Sequence, residues 1–140
     1  MYKAKDIANY VIAKCIKDNK PITNLYLQKI LYYTQRQYLK NNSVAFQEDF
    51  EAWAFGPVIP EIYYKYCGYG AEPITISPEY SIPNNDDRVI IDQIVEQKRI
   101  LQPWDMVDDV HRENGAWYKI YSNGAGDHYI IEKELIKNIG

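Results

Sequence analysis

Apolar residues recur at steps of three and four along much of this chain, and the longest such run is Thr23 to Asn41, TNLYLQKILYYTQRQYLKN. This spacing predicts a helix with Leu27, Ile30, Leu31, Thr34 and Tyr38 on one face. Thr23 or Asn24 can cap its start, and Pro21 keeps the preceding helix from running into it. A second apolar set, Leu25, Tyr32 and Leu39, lies across a narrow polar gap that holds Gln28 and Gln35. A helix apolar on both sides of two glutamines is expected to be buried over most of its circumference, as the central helix of the fold. A buried amide without partners costs roughly 1–3 kcal/mol, so both glutamines should be hydrogen-bonded, at least one to the loop Glu51–Val58. The remaining strip, Lys29, Arg36 and Lys40, edged by Tyr26, Tyr33 and Gln37, reads as the wet face.

Other segments follow from the same rules. Asp6 to Lys17 is an amphipathic helix, with Ile7, Ala8, Val11, Ile12, Cys15 and Ile16 inward and Asp6 at its positive end. Phe46, Phe50 and Trp53 come at helical spacing, but the Gly-Pro that follows argues for extended chain by Trp53 and a turn at Gly56-Pro57. Pro60 opens a short helix to Cys67, which Gly68 stops. Residues 71–85, with Pro73, Pro78 and Pro83, form a connector. Asn85 or Asp86 caps a helix to about Arg99 with Val89, Ile90, Ile91, Ile94 and Val95 inward. Pro103 opens a helix from Trp104 to Arg112, its apolar side formed by Trp104, Val107, Val110 and His111. Short helices at Ala116–Tyr121 and Glu132–Ile139 flank a turn over Ser122–Gly126 and an extended piece from His128 to Ile131. The expected fold is mainly α: a compact helical bundle around a central buried helix, with short extended segments, in one domain spanning residues 1–140.

Composition narrows the class. At 140 residues the chain can bury roughly 68–70% of its unfolded surface, enough for a core without staples. No apolar run reaches membrane-spanning length and the start has no signal-peptide core, so a cytoplasmic location is expected. Cys15 and Cys67 lack motif spacing and read as unpaired thiols. Tyrosine is abundant, 14 residues, eight of them between Tyr26 and Tyr69; it suits wet cores and protein interfaces alike. Residues 1–70 carry nine Lys or Arg against six Asp or Glu (net +3), and residues 71–140 seven against thirteen (net −6). The pI of 5.4 argues against a dedicated duplex-DNA binder. Helix, short turn, helix is also the order of a DNA-binding helix-turn-helix, but the second helix is too apolar to lie in a groove.

Two stretches carry a resemblance. LQKILYYTQ, and then FEAWAFGPVIPEIYYKYCGYG, resemble the signatures of the Panacea-domain family, which includes SocA-like antitoxins and phage-associated GepA-like proteins. The matching positions are Leu27, Lys29, Ile30, Leu31, Tyr32, Tyr33 and Gln35, then Glu51, Ala52, Trp53, Gly56, Pro57, Val58, Pro60 and Tyr63. A third feature, His a few residues before Trp, is similar to His111 and Trp117, with Ala116 where Pro is common. The resemblance implies a mostly helical domain, carried by a prophage or mobile element, that binds and neutralises a cognate toxin protein without enzyme activity or cofactor. A protease is a further partner under that implication. The alternative is a prophage-borne adaptor or inhibitor of a host protein such as a protease or defence nuclease.

Candidate chemistry is sparse. Asp108 and His111, three apart, have the spacing of an oriented general base, but no nucleophile motif accompanies them. A structural His111 beside Trp117 is the expectation. Cys15, Cys67, His111 and His128 lack metal-ligand spacing, so no metal is expected. The partner surface is expected at Tyr26, Lys29, Tyr33, Arg36 and Lys40. Trp53 reads first as part of a fold-defining turn and second as a direct partner contact. Gln28, Gln35, Gly56, Pro57, Pro60, His111 and Trp117 are expected to be structural.

Overall fold

A computed structural model describes all 140 residues. Its centre is helix α2, Asn24–Lys40, of which twelve residues are buried. The Thr23 hydroxyl accepts from the Tyr26 amide at 3.2 Å, which satisfies one orphan donor of the first turn. The helix ends where Asn42 takes a left-handed φ of +59°. Around it stand α1 (Ala4–Lys17), α3 (Pro60–Tyr66), α4 (Asn85–Lys98) and α7 (Lys133–Ile139), all in contact with it. Helices α5 (Pro103–Val110) and α6 (Ala116–Tyr121) lie between α4 and the C-terminal segment. Prolines open α3 and α5, where the missing N–H removes nothing. The Asn84 side chain caps α4, and Asp86 and Asp87 sit in its first turn against the dipole. Thirty-two buried residues join in one hydrophobic cluster.

The extended segments form a small antiparallel sheet in the order β2-β1-β3. Strand β1 is Phe50–Trp53, β2 is Gly56–Val58 and β3 is Ile130–Ile131. Trp53 opposes Gly56, Ala52 opposes Pro57, and Phe50 opposes Ile131. The turn therefore lies at Ala54-Phe55, not at the expected Gly56-Pro57. Pro57 is tolerated because β2 is an edge strand, where a missing ladder donor can face outward.

Tyrosine hydroxyls and aspartates join the two halves of the chain. Tyr2 and Tyr38 both donate to Asp87, Tyr10 donates to Asp92 at 2.6 Å, and Tyr33 donates to Asp109 at 2.8 Å. Tyrosines of the first half thus bond three half-buried aspartates of the acidic second half. Burial followed by these aspartate bonds raises the pKa of Tyr10, Tyr33 and Tyr38. Burial raises Asp87 as well, but the bonds from Tyr38, Tyr2 and Asn84 outweigh it and hold the carboxyl below its ordinary value.

Five expected inward positions are less buried than the pattern implies. Val89 is exposed and Ile90 half-buried, because α4 packs on one face only and its buried stripe is Ile91, Ile94 and Val95. Trp104 is exposed and Val107 half-buried: the eight-residue α5 rests on Met106 and Val110, one turn apart. Leu25 is only half-buried. Helix α2 is enclosed by its neighbours over most of its circumference.

Candidate protein-binding site

The two glutamines of α2 tie the helix to the chain on either side of the hairpin. Gln28 Oε1 accepts from the Ile59 amide at 3.0 Å, and its Nε2 donates to Asn24 Oδ1 at 3.2 Å. Gln35 accepts from the Ala45 amide at 2.9 Å and donates to the Phe46 carbonyl at 2.7 Å. Both are buried and bonded as expected, but neither reaches the loop Glu51–Val58. Gln28 bonds just past that loop and Gln35 before it.

The hairpin itself is held from below by Lys29. This residue was expected in solvent and is 1% exposed. Its ammonium donates to the Phe55 carbonyl at the hairpin tip, at 2.6 Å. Gly56, with φ +128°, makes the space: a Cβ there would lie 2.0 Å from Lys29 Nζ and 3.5 Å from His111 Nε2. Burial pushes the Lys29 amine down to about 8. Burial, then the Lys29 charge, lowers His111, and the Phe55 carbonyl and Asp108 only partly oppose this. The His111 ring stacks on Trp117, with centroids 3.7 Å apart and planes within 4°. Trp117 Nε1 donates to the Trp53 carbonyl at 2.8 Å. The family-motif residues therefore converge beneath one hairpin from α2, β1–β2 and the α5–α6 turn.

The rest of the expected wet strip is also occupied. Tyr33 is buried, its hydroxyl on Asp109 and its ring flanked by Arg36 at 4.7 Å and Lys98 at 4.2 Å. Arg36 also reaches Asp109 and the Gly140 carbonyl, and Tyr26 donates to the Leu101 carbonyl at 2.5 Å. Only Gln37 and Lys40 are open. The partners come from the end of α4, the α4–α5 turn, α5 and the C-terminal residues, more than 60 positions away, so the local polar pattern gave no sign of them.

Above the hairpin the surface is aromatic. Trp53 is the hub, with Phe55, Tyr63, Tyr64 and His128 around it at centroid distances of 5.9, 5.0, 5.8 and 4.4 Å. Trp53 is mostly covered, while Phe55 is 36% exposed and Tyr64 61%. His128 and Tyr129 are delivered by the antiparallel return of the chain: the His128 amide donates to the Ala52 carbonyl, and Ala52 donates back to Tyr129. The tyrosine excess hinted at an interface. The contribution of His128, 75 residues from Trp53, had no sequence signal.

No three His, Cys, Asp or Glu side chains are grouped so as to hold a metal ion. Cys15 is buried and Cys67 exposed, both free. Asp108 is exposed and makes no hydrogen bond to His111, whose Nε2 is buried and unpartnered. No helix is long and apolar enough to cross a membrane.

A 72-residue stretch is 36% identical to Antitoxin SocA of Caulobacter vibrioides (strain NA1000 / CB15N). That stretch is 51% of this chain and 38% of the relative, so the chain spans well under two thirds of the length of the curated protein it matches. No solved structure matches. The profile of the family described as "Antitoxin SocA-like, Panacea domain" matches residues 27–118, from α2 through the hairpin to Trp117, and the chain belongs to that family.

Proposed function

We propose that this chain is a non-enzymatic antitoxin that neutralises a cognate toxin protein by direct binding. Family membership supports the antitoxin role, as does the likeness to a protein named Antitoxin SocA. The observation that carries direct binding is the exposed aromatic surface of Phe55 and Tyr64 beside Trp53. Aromatic side chains are enriched in interface centres, where truncating one often loses 2 kcal/mol or more. The non-enzymatic half of the proposal is supported by the burial of His111 Nε2 and by its stacking on Trp117.

The test uses the open reading frame beside the gene. Its product, expressed alone, should arrest growth, and co-expression of this chain should restore it. The two proteins should co-purify, and Phe55→Ala with Tyr64→Ala should abolish both rescue and co-purification. A harmless neighbouring product would overturn the toxin reading in favour of an inhibitor or adaptor for a host protein such as a protease or defence nuclease. Full rescue by the double variant would move the binding surface elsewhere.

A further inference from the structure

We propose that the aromatic surface around Trp53 takes up a basic side chain of the partner protein, arginine in preference to lysine; this rests on the protein-binding reading above. The rings of Phe55, Tyr63, Tyr64 and His128 stand tilted or edge-on to Trp53, with Phe55 stacked on Tyr63, so both π faces and edges are presented together. An aromatic face attracts a cation, more strongly once water is displaced. The molecule's own cation–π contacts lie elsewhere: Arg36 and Lys98 on Tyr33, and Lys65 on Tyr66. Trp53 and the four rings around it carry no Lys or Arg from this chain.

Three carboxylates flank the same rings. Glu51 accepts from Trp53 Nε1 at 3.0 Å. Asp127 Oδ1 lies 3.1 Å from His128 Nδ1. Glu61, in the first turn of α3, stands one turn before Tyr64. None of the three is in an ion pair with a lysine or arginine, although Lys65 follows Glu61 by four residues; it turns to Tyr66 instead. The patch therefore combines open aromatic surface with uncompensated negative charge.

The same arrangement occurs in complete form inside the protein. Tyr33 is flanked by two cations, and one of them, Arg36, also pairs with Asp109, which the Tyr33 hydroxyl bonds. At the Trp53 surface the rings and carboxylates are in place and the cation is missing. A guanidinium fits better than an ammonium because its plane stacks on a ring while its edge forks onto a carboxylate.

The experiment follows the three indole N–H signals of the 15N-labelled full chain by NMR, assigned with single Trp→Phe variants. The probe is a capped Gly-Arg-Gly-Arg-Gly peptide, compared with its lysine, citrulline and glutamate counterparts. The expected result is a saturable shift of the Trp53 signal with the arginine peptide, a weaker one with lysine, and none with citrulline or glutamate. The Glu51→Gln, Glu61→Gln, Asp127→Asn triple variant should weaken it by about tenfold or more, since each lost 1.4 kcal/mol of charge attraction is a factor of ten. Equal shifts with citrulline, shifts confined to Trp104 or Trp117, or no saturable shift would overturn the proposal. In the toxin assay, a triple variant that still rescues fully while the Phe55, Tyr64 variant fails would remove the basic side chain and leave the antitoxin reading standing. Loss of rescue in both would agree with the proposal.

Discussion

Lys29 gives the sharpest test of the site, because a buried ammonium has a signature in stability against pH. Its pKa of about 8 in the folded chain compares with an ordinary lysine at 10.5. Below pH 8 both folded and unfolded chains carry the proton, and the folded one bears the full desolvation penalty. Between pH 8 and 10.5 the unfolded chain keeps the proton while the folded chain has lost it, so stability rises with pH through that window. A difference of 2.5 pKa units corresponds to about 3 kcal/mol, of which about 2 should emerge between pH 7 and 9.5. The hydrogen bond from Nζ to the Phe55 carbonyl favours the charged form, which makes these figures upper values. Lys29→Met removes the titration and the bond together. At pH 7 relief from desolvation offsets the unpaired Phe55 carbonyl, roughly 1–3 kcal/mol, so the two proteins should be similar in stability. By pH 9.5 the wild type should be ahead by about 2 kcal/mol. Urea unfolding followed by tryptophan fluorescence at half-unit pH steps measures both, and the tyrosine titrations cancel in the difference. A wild-type minus variant difference flat across pH 7–9.5 would show that Lys29 is solvated, and the account of the hairpin would fail.

Gly56→Ala places a methyl 2.0 Å from Lys29 Nζ at a φ of +128°, and thermal melting should show a loss of more than about 1–3 kcal/mol. Gln35→Leu should destabilise more than Gln28→Leu: it strands the Ala45 N–H and the Phe46 carbonyl, each worth roughly 1–3 kcal/mol, where Gln28→Leu strands the Ile59 N–H and removes a side-chain bond. Tyr33→Ala should cost about 3–5 kcal/mol in urea unfolding, as expected for emptying a buried aromatic site; unchanged stability would mean that the side chain is solvent-facing after all. Tyr64→Ala, by contrast, should stay within about 0.5 kcal/mol of wild type, so any loss of neutralisation is a loss of contact.

What the sequence determined by itself was local. Period-3.6 apolar spacing, the Thr23 cap, the Pro60 and Pro103 starts and the Gly-Pro break place the helices and the extended chain at Trp53 within a few residues. The burial of Gln28 and Gln35 was legible too, since amides between two apolar faces have nowhere else to go. Tertiary structure decided which polar residues are surface. Lys29, Tyr33 and Arg36 read as a wet strip because a lysine or arginine is normally solvated, and the groups that overturn that rule arrive from far along the chain: the Phe55 carbonyl, Asp109 and the C-terminal carbonyls. The Trp53 surface was likewise decided in three dimensions. Its rings come from the hairpin, from α3 and from the turn before β3, and only the β1–β3 pairing brings the last of these alongside. Periodicity records which side of an element is apolar. It holds no information on what a distant segment lays against the other side.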